Sequence, residues 1–324
     1  MEFFSKHVFD SLLPGLGYPQ RVLCLGSCFA ANIGTLLERY FFRVQCNPNG
    51  IIFNPMSLLA GMEIALNPAA FEEEKYVFEY QSRYYSWLHH GSFQSHSKNE
   101  LLQRIQAQQQ VFQEAIRQAD VLLLTWGSAQ VFTLASTGQI VANCHKLPGH
   151  FFQQRLLSVD EIVAAYTAFL HQLLHINPRL QIVWSISPVK YVRGGLHANN
   201  LSKATLFLAL QALREAFPNH YYFPAYEILQ DELRDYRFYA ADLAHPSEQA
   251  IQYIWDQFRQ HVLSAEAQDL YKQLQPIRTA MTHRFLHPNT PAHTQFLAKH
   301  RQLVQDLQAA HPYLDLSAAL THFS

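Results

Sequence analysis

The sequence predicts a three-layer α/β/α fold with a parallel sheet of about five strands, hairpin insertions and a C-terminal helical extension. Short apolar segments alternate with helix-length amphipathic segments along most of the 324 residues. This alternation is typical of a parallel sheet that is covered by helices on both faces. Of the residues, 49% are hydrophobic and 15% are charged, a composition that can form a large core.

Five segments have the length and composition of buried strands. They lie at residues 21–25, 43–46, 120–126, 181–187 and 221–223. The third segment is apolar throughout, as expected for a strand whose two faces are both covered. A glycine ends the first segment and a turn-forming string at residues 47–50 ends the second, so both strands have defined boundaries.

Helix signals fill the intervals between these strands. Asn54 and Pro55 predict a helix start with proline at the first helical position. Ser158 and Glu161 form a capping box that opens a helix ending at about residue 175. Further helices are expected at residues 199–217 and 246–262.

Two insertions and a tail complete the predicted architecture. Residues 76–90 and 130–144 each predict a β-hairpin. Beyond residue 262 the sequence has a helical pattern and is rich in glutamine, with a break at residues 287–291. We therefore expect a main domain at residues 1–262 and a C-terminal helical extension at residues 263–324.

The overall charge and the cysteine pattern limit the functional class. The formal net charge is −1, so we expect no binding of nucleic acid or of an anionic membrane surface. No stretch has the length of a membrane-spanning helix, and residues 1–6 do not resemble a secretory signal. The four cysteines include no CxxC pair, which favours reduced thiols and a cytoplasmic location.

A hydroxyl, a carboxylate and an imidazole follow the carboxyl ends of predicted strands, where parallel sheets bind ligands. Ser27 comes directly after the first strand, and Asp242 and His245 come after the last one. Serine becomes an effective nucleophile when a base such as His245 removes its proton. Asp242 would orient that imidazole and stabilise its protonated form. These residues predict a nucleophilic triad, although a glycine–serine pair after a strand is also a common helix cap.

Several blocks of the sequence, in the same order, resemble the GSCFA domain family. Residues 26–30 read GSCFA, the string that names the family, and residues 47–50 with 54–57 are similar to its second block. Further similar blocks lie at residues 86–90, 125–129, 141–146, 187–189, 199–204 and 222–245. The resemblance covers about residues 20–262.

This family is grouped with the SGNH (GDSL-like) hydrolases, so the resemblance implies a flavodoxin-like sheet. It also carries Ser27 over as the nucleophile, with Asp242 and His245 as its partners. Its reaction class is ester hydrolysis or acyl transfer, and the resemblance specifies no substrate.

The resemblance implies an oxyanion hole with three donors: the Ser27 N–H, a glycine after the second strand and an asparagine after the third. Gly50 is the candidate for the glycine. The third strand is followed by Gly127 and Ser128, and no asparagine stands there. The third donor is therefore open between the Gly127 or Ser128 N–H, the Ser128 hydroxyl and Asn143 from the second hairpin. The absence of one donor can cost about 3 kcal/mol of transition-state stabilisation.

Other polar residues have two interpretations each. Asn143 and His145 are expected to line the cleft or to form a buried polar network. The histidines and the cysteine at positions 89, 90, 144 and 145 lack zinc-finger spacing, so we expect no metal, and we expect no cofactor. A polar cluster follows the fourth strand and indicates either recognition of an anionic or sugar-like substrate or a solvated loop with a helix cap; it consists of Lys190, Arg193, Asn199, Asn200 and Lys203.

Two functions are compatible with these features. The first is a serine esterase or acyl transferase that acts on small O-acyl groups of a carbohydrate-like or other polar small molecule. The alternative is a non-catalytic binding protein that retains the cleft. The missing asparagine and the additional C-terminal helices motivate this alternative.

Overall fold

The computed structural model describes residues 5–9, 15–217, 220–286 and 290–324. Residues 1–4 and most of the break predicted at residues 287–291 lie outside these ranges. Within them, the chain forms eleven β-strands and eleven α-helices, with short 3₁₀ turns and one π-helix.

The strands form one parallel sheet and two small antiparallel sheets. In chain order they are β1 (Arg21–Gly26), β2 (Arg43–Cys46), β3 (Val77–Tyr80), β4 (Arg83–Ser86), β5 (Gln94–Ser95), β6 (Val121–Trp126), β7 (Gln130–Leu134), β8 (Ile140–Val141), β9 (Phe152–Leu156), β10 (Gln181–Ile186) and β11 (His220–Tyr222).

The parallel sheet has five strands in the order β11-β10-β6-β1-β2. Numbered among themselves along the chain, these strands have the order 2-1-3-4-5 of flavodoxin-like folds. The chain reverses its direction of growth between β1 and β6, and this is where ligands bind in such sheets. The predicted fold class and all five predicted sheet strands are confirmed.

Helices cover both faces of this sheet. They are α1 (Cys28–Arg39), α2 (Pro55–Leu66), α3 (Glu73–Tyr76), α4 (Lys98–Gln118), α5 (Val159–Ile176), α6 (Gly195–Ala216), α7 (Ala225–Glu227), α8 (Glu248–Val262), α9 (Ala265–Thr282), α10 (Pro291–Ala310) and α11 (Ser317–His322). The side chains of Asn54 and Ser158 cap α2 and α5 by accepting N–H groups of the first turn, as predicted.

Two apolar cores lie on the two sides of the sheet, because successive side chains of a strand point to opposite faces. Val22 and Cys24 of β1 join the core formed with α1 and α8. Leu23 and Leu25 join the core formed with α2, α4, α5 and α6. The molecule therefore has the expected helix–sheet–helix layering.

The two predicted hairpins are present, and each gains a third strand. β3 pairs with β4 and β7 pairs with β8, both antiparallel. β5 adds to β4, and β9 adds to β7. β5 and β9 have no strand pattern in the sequence, because β5 has two residues and β9 is mostly polar and exposed.

The helices beyond residue 262 share a core with α1 and α8. Leu270 and Ile277 of α9, Val304 of α10 and Ala319 of α11 are buried in that core. The domain boundary at residue 262 stays a prediction. In the described part of the chain, no helix combines the length and the apolar composition needed to cross a bilayer.

Candidate active site

The turn that carries Ser27 depends on the glycine before it. Gly26 has φ +132°, and a Cβ at this position would collide with the Thr125 carbonyl oxygen of the neighbouring strand β6. Its N–H donates to the Asn47 side-chain oxygen at 2.8 Å, which ties the end of β1 to the turn after β2. Only glycine allows the two strand ends to approach this closely.

Ser27 is the N-cap of α1 and is 4% exposed. Its Oγ accepts the Phe29 N–H at 3.2 Å, so the hydroxyl proton is free to be donated elsewhere. The helix-cap interpretation of the glycine–serine pair is therefore confirmed, and the role of Ser27 as nucleophile stays a prediction. Burial raises the pKa of the adjacent Cys28 thiol, which disfavours its reactive thiolate form.

Asp242 and His245 form the predicted pair. Asp242 Oδ2 lies 2.6 Å from His245 Nδ1, and Asp242 Oδ1 accepts the backbone N–H groups of Ala244 and His245 at 3.0 Å each. These backbone hydrogen bonds, followed by the imidazole contact, lower the pKa of Asp242 to about 2. A carboxylate on Nδ1 assigns the proton to that nitrogen and leaves Nε2 as the acceptor.

Neighbouring segments hold the turn that carries this pair. Ala240 N–H donates to the His245 carbonyl at 2.8 Å, and Lys190 N–H donates to the Ala244 carbonyl at 3.0 Å. A β-bridge joins Tyr239 to Pro246. The side chains of Asp242 and His245 nevertheless stay about half exposed, at 51% and 46%.

Ser27 and His245 line the same cavity, whose volume is about 230 Å³. Gly127 and Ser128 also line it, and the other wall residues are mostly apolar: Cys28, Ile51, Phe53, Ser187, Val189, Lys190 and Tyr191. A Cβ on Gly127 would lie 3.5 Å from the Ser27 Cβ, so the third-strand turn passes directly beside the serine. No hydrogen bond between Ser27 and the His245 ring is present among the described residues.

The backbone donors expected for an oxyanion hole are engaged elsewhere. Gly50 N–H donates to the Asn47 carbonyl at 2.7 Å. Gly127 and Ser128 N–H both donate to the Phe53 carbonyl, at 2.7 and 3.2 Å. Ile51 lines the cavity directly after Gly50, and its N–H has no hydrogen-bond partner among the described residues. No sequence pattern indicates Ile51 as a donor, because the direction of an N–H group depends on backbone torsion angles.

The Ser128 hydroxyl belongs to a buried serine pair. Its Oγ accepts the Gln130 N–H at 3.0 Å and lies 3.1 Å from Ser202 Oγ of α6. Ser202 Oγ in turn accepts the Ala129 N–H at 2.7 Å. When Ser202 donates its proton to Ser128, the Ser128 proton is free to point into the cavity.

Lys203 is buried beneath the same cavity, with 2% of its surface exposed. Its Nζ donates to the Gly127 carbonyl at 2.7 Å and to the Ser187 carbonyl at 2.6 Å. Burial lowers its pKa to about 7. Lys203 thus links the ends of β6 and β10. One interpretation of its polar cluster was a solvated loop with a helix cap, and this interpretation is wrong for Lys203 because its side chain is buried. The missed signal was its helical spacing with Leu206 and Leu210, both buried.

Asn143 and His145 lie in the hairpin layer, and neither lines the cavity. Asn143 Oδ1 accepts the His145 N–H at 2.7 Å, and His145 Nε2 lies 2.8 Å from the Ser86 carbonyl oxygen. Burial lowers the pKa of His145 to about 4 and that of neighbouring His89 to about 3. Within the described ranges, no three His, Cys, Asp or Glu side chains are grouped closely enough to hold a metal ion.

The fold and the cleft define a flavodoxin-like α/β protein with its polar side chains gathered at the carboxyl edge of the sheet. The profile of the GSCFA family matches residues 21–258, and that of the GSCFA domain protein C-terminal domain matches residues 274–324. The chain therefore belongs to the GSCFA family, which confirms the resemblance found in its sequence blocks.

Comparisons with individual proteins are more distant. No curated protein sequence is significantly similar to the chain. Among solved structures, the crystal structure of a carbohydrate esterase family 3 from Talaromyces cellulolyticus aligns with 78% of this chain and 98% of its own. The identity is 11% and the TM-score is 0.36, values too low to establish a common fold.

Proposed function

We propose that the chain is a serine esterase or acyl transferase of SGNH type. One observation carries the proposal: Ser27 shares a cavity of about 230 Å³ with an imidazole whose Nδ1 is held by Asp242 at 2.6 Å. A hydroxyl, a base with a free Nε2 and an orienting carboxylate are the parts that acyl transfer to serine requires.

The proposed reaction has two steps. Ser27 Oγ attacks the ester carbonyl carbon while His245 Nε2 accepts the hydroxyl proton. The tetrahedral intermediate then collapses, the bond to the alcohol oxygen breaks, and His245 returns the proton to that oxygen. Water or a second alcohol attacks the acyl-serine in the same manner and releases Ser27.

Three donors fit the developing oxyanion with the least rearrangement. They are the Ser27 N–H, whose contact with the Thr125 carbonyl is long at 3.4 Å, the Ile51 N–H, which has no partner among the described residues, and the Ser128 hydroxyl. Gly50 and Gly127 would first have to release the carbonyl groups that they now bind. Ser128 would thus replace the asparagine implied by the resemblance, and Asn143 would serve the hairpin layer.

The cavity walls favour a small acyl group. Ile51, Phe53 and Val189 present apolar surface beside Ser27, so a short aliphatic acyl chain gains burial there and a charged one loses hydration. We propose a polar small-molecule ester as substrate. A cytoplasmic location stays a prediction from the cysteine pattern.

The Ser27→Ala variant tests the proposal. Wild-type protein should hydrolyse para-nitrophenyl acetate and should be labelled at Ser27 by a fluorophosphonate probe. Ser27→Ala should lose both, with a fall in kcat of about 10³-fold or more. The matched control is Cys28→Ala, which changes the next side chain of the same cavity and should keep labelling and turnover. Undiminished turnover in Ser27→Ala would refute the proposal.

A non-catalytic binding protein is the second candidate function. It is favoured by the engaged N–H groups of Gly50, Gly127 and Ser128 and by the absence of a Ser27–His245 hydrogen bond in the described structure. Hydrogen bonds of this kind are often long in unliganded enzymes, so we place this function second. No labelling of wild type, together with unchanged ligand binding by Ser27→Ala, would favour it.

A further inference from the structure

A second cavity of about 410 Å³ adjoins the one that contains Ser27. Its walls come from the π-helix Ile228–Leu233, from the turn that follows it and from the loop after β10. Its lining is mostly polar and aromatic, and includes Lys190, Asn200, Gln230, Asp231, Arg234 and Tyr236. Two of these residues, Lys190 and Asn200, belong to the polar cluster for which recognition of an anionic or sugar-like substrate was one of two expectations.

The two cavities meet at Lys190, which lines both. The second cavity is also continuous with the segment that carries the base, because Tyr239 in its wall forms a β-bridge with Pro246, the residue after His245. In the proposed reaction His245 protonates the leaving alcohol oxygen. The alcohol part of the ester must therefore extend from Ser27 past His245, and the second cavity adjoins this segment through Lys190 and Tyr239.

The side chains of this cavity suit an uncharged polyol. Lys190 and Arg234 are cationic and Asp231 and Asp235 are anionic, so the formal charges of the lining cancel. The side chains of Arg234 and Asp231 make no hydrogen bond or ion pair among the described residues, so these donors and acceptors are available to hydroxyl groups. A net-neutral lining offers little net attraction to an anion or a cation.

Aromatic surface complements these polar groups. Tyr236 is 67% exposed, and a sugar ring can cover its apolar face. The Lys190 ammonium lies 3.8 Å from the centre of the Tyr239 ring and makes a cation–π contact with it. Arg234 is held at φ +38°, a conformation that non-glycine residues adopt at a cost and that recurs at ligand sites.

We propose that this second cavity binds the alcohol part of the ester as an uncharged sugar unit or similar polyol. The apolar cavity beside Ser27 holds the acyl group. This inference rests on the proposed esterase or acyl transferase function and adds the class of alcohol and its binding site.

Activity on two substrates distinguishes the contributions of the two cavities. Methyl glucopyranoside carrying one O-acetyl group requires both, whereas para-nitrophenyl acetate has no hydroxyl groups for the second. Tyr236→Ala and Asp231→Asn should each lower kcat/KM for the acetylated sugar about tenfold, mainly through KM, and leave para-nitrophenyl acetate within about twofold. Tyr313→Ala, a partly exposed tyrosine outside both cavities, is the matched control. Equal losses on the two substrates, or no loss on either, would overturn the inference.

A binding measurement on a variant without the proposed nucleophile tests the second cavity independently of the proposed reaction. Methyl glucopyranoside, the deacetylated product, should perturb NMR signals of the Ser27→Ala protein, and Tyr236→Ala should weaken that binding about tenfold. Binding of the uronate counterpart about tenfold more tightly would overturn the uncharged assignment. Failure of the proposed function has a different signature, namely para-nitrophenyl acetate turnover that survives Ser27→Ala.

Discussion

Ser27 and the Asp242–His245 pair face one cavity from contrasting structural settings. Ser27 is 4% exposed and stands where β1, β6 and α1 meet. Asp242 and His245 are about half exposed, on a turn held mainly by its own hydrogen bonds and by one from the Lys190 N–H. The position of the serine thus depends on the core of the fold, whereas the position of the base depends on one local turn. Substitutions beside the serine should therefore affect folding, and those in the turn should affect activity.

The largest expected effect is on folding, at Gly26. Gly26 has φ +132°, and alanine at this position would add a Cβ that collides with the Thr125 carbonyl oxygen. Gly26→Ala should therefore lower the free energy of unfolding by about 4 kcal/mol or prevent folding. Gly138→Ala is the matched control, because Gly138 also has positive φ, at +74°, but has nothing within 4 Å of its Cβ position. It should cost about 1 kcal/mol.

Chemical denaturation of the two glycine variants measures this difference. Equal losses would show that the backbone conformation alone matters. The close approach of β1 to β6 would then have no special importance for the position of Ser27.

The second effect concerns activity without loss of the fold, at Asp242. Asparagine keeps an oxygen for the Ala244 and His245 N–H groups but removes the charge that stabilises the imidazolium. Asp242→Asn should lower kcat for para-nitrophenyl acetate about 10²–10⁴-fold and leave the thermal midpoint nearly unchanged. Asp235→Asn, a cap in the preceding turn, is the control. Wild-type kcat in Asp242→Asn would contradict the role assigned to the carboxylate.

The fold was more predictable from the sequence than the oxyanion donors. Buried parallel strands are apolar on both faces, so β6 and β10 stand out in the sequence. The short polar strand β9 carries no such pattern. Glycine at positions 50 and 127 indicates a turn but not where its N–H points, and the structure turns both toward nearby carbonyl oxygens.

The residues that combine charge with burial were the hardest to predict. Lys203 has the residue type of a solvated surface, and only its place on the apolar face of α6 indicates burial. Its two carbonyl partners come from turns 76 and 16 residues earlier in the chain. Contacts of this kind follow from the assembled fold, so no local pattern predicts them.

The third effect is a loss of stability in acid, which reports on buried histidines outside the cavity that contains Ser27. Burial lowers the pKa of His89 to about 3 and of His145 and His220 to about 4. In the folded protein these imidazoles stay neutral just below pH 6.5, whereas in the unfolded chain the same imidazoles take up protons there. Stability is thus full above about pH 6.5 and falls as the pH decreases toward 4, by about 1.4 kcal/mol per pH unit for each histidine.

Denaturant midpoints measured from about pH 7.5 to pH 5 test this acid dependence. A midpoint that does not change over this range would show that these histidines are protonated in the folded protein. Their buried network would then need a negative partner that the described residues do not provide.

The smallest expected effect is at Leu243, between the two residues of the exposed pair. Leu243 is held at φ +57° and is 53% exposed, so its side chain gains little burial while its backbone is strained. Leu243→Gly should raise the free energy of unfolding by about 0.5–1 kcal/mol, since relief of strain exceeds the added entropy of the unfolded chain. Ala240→Gly, in the same segment and without positive φ, should instead lower it by a similar amount.

The activity of Leu243→Gly then shows whether the hydrogen bonds of Asp242 or the backbone of Leu243 orient His245. Because Asp242 still accepts the Ala244 and His245 N–H groups, we expect kcat within about threefold of wild type. A stabilised variant with a much lower kcat would mean that the strained leucine, and not the hydrogen bonds, orients His245. The exposed half of the cleft would then resemble the buried half at Gly26, where backbone conformation sets the position of the reacting group.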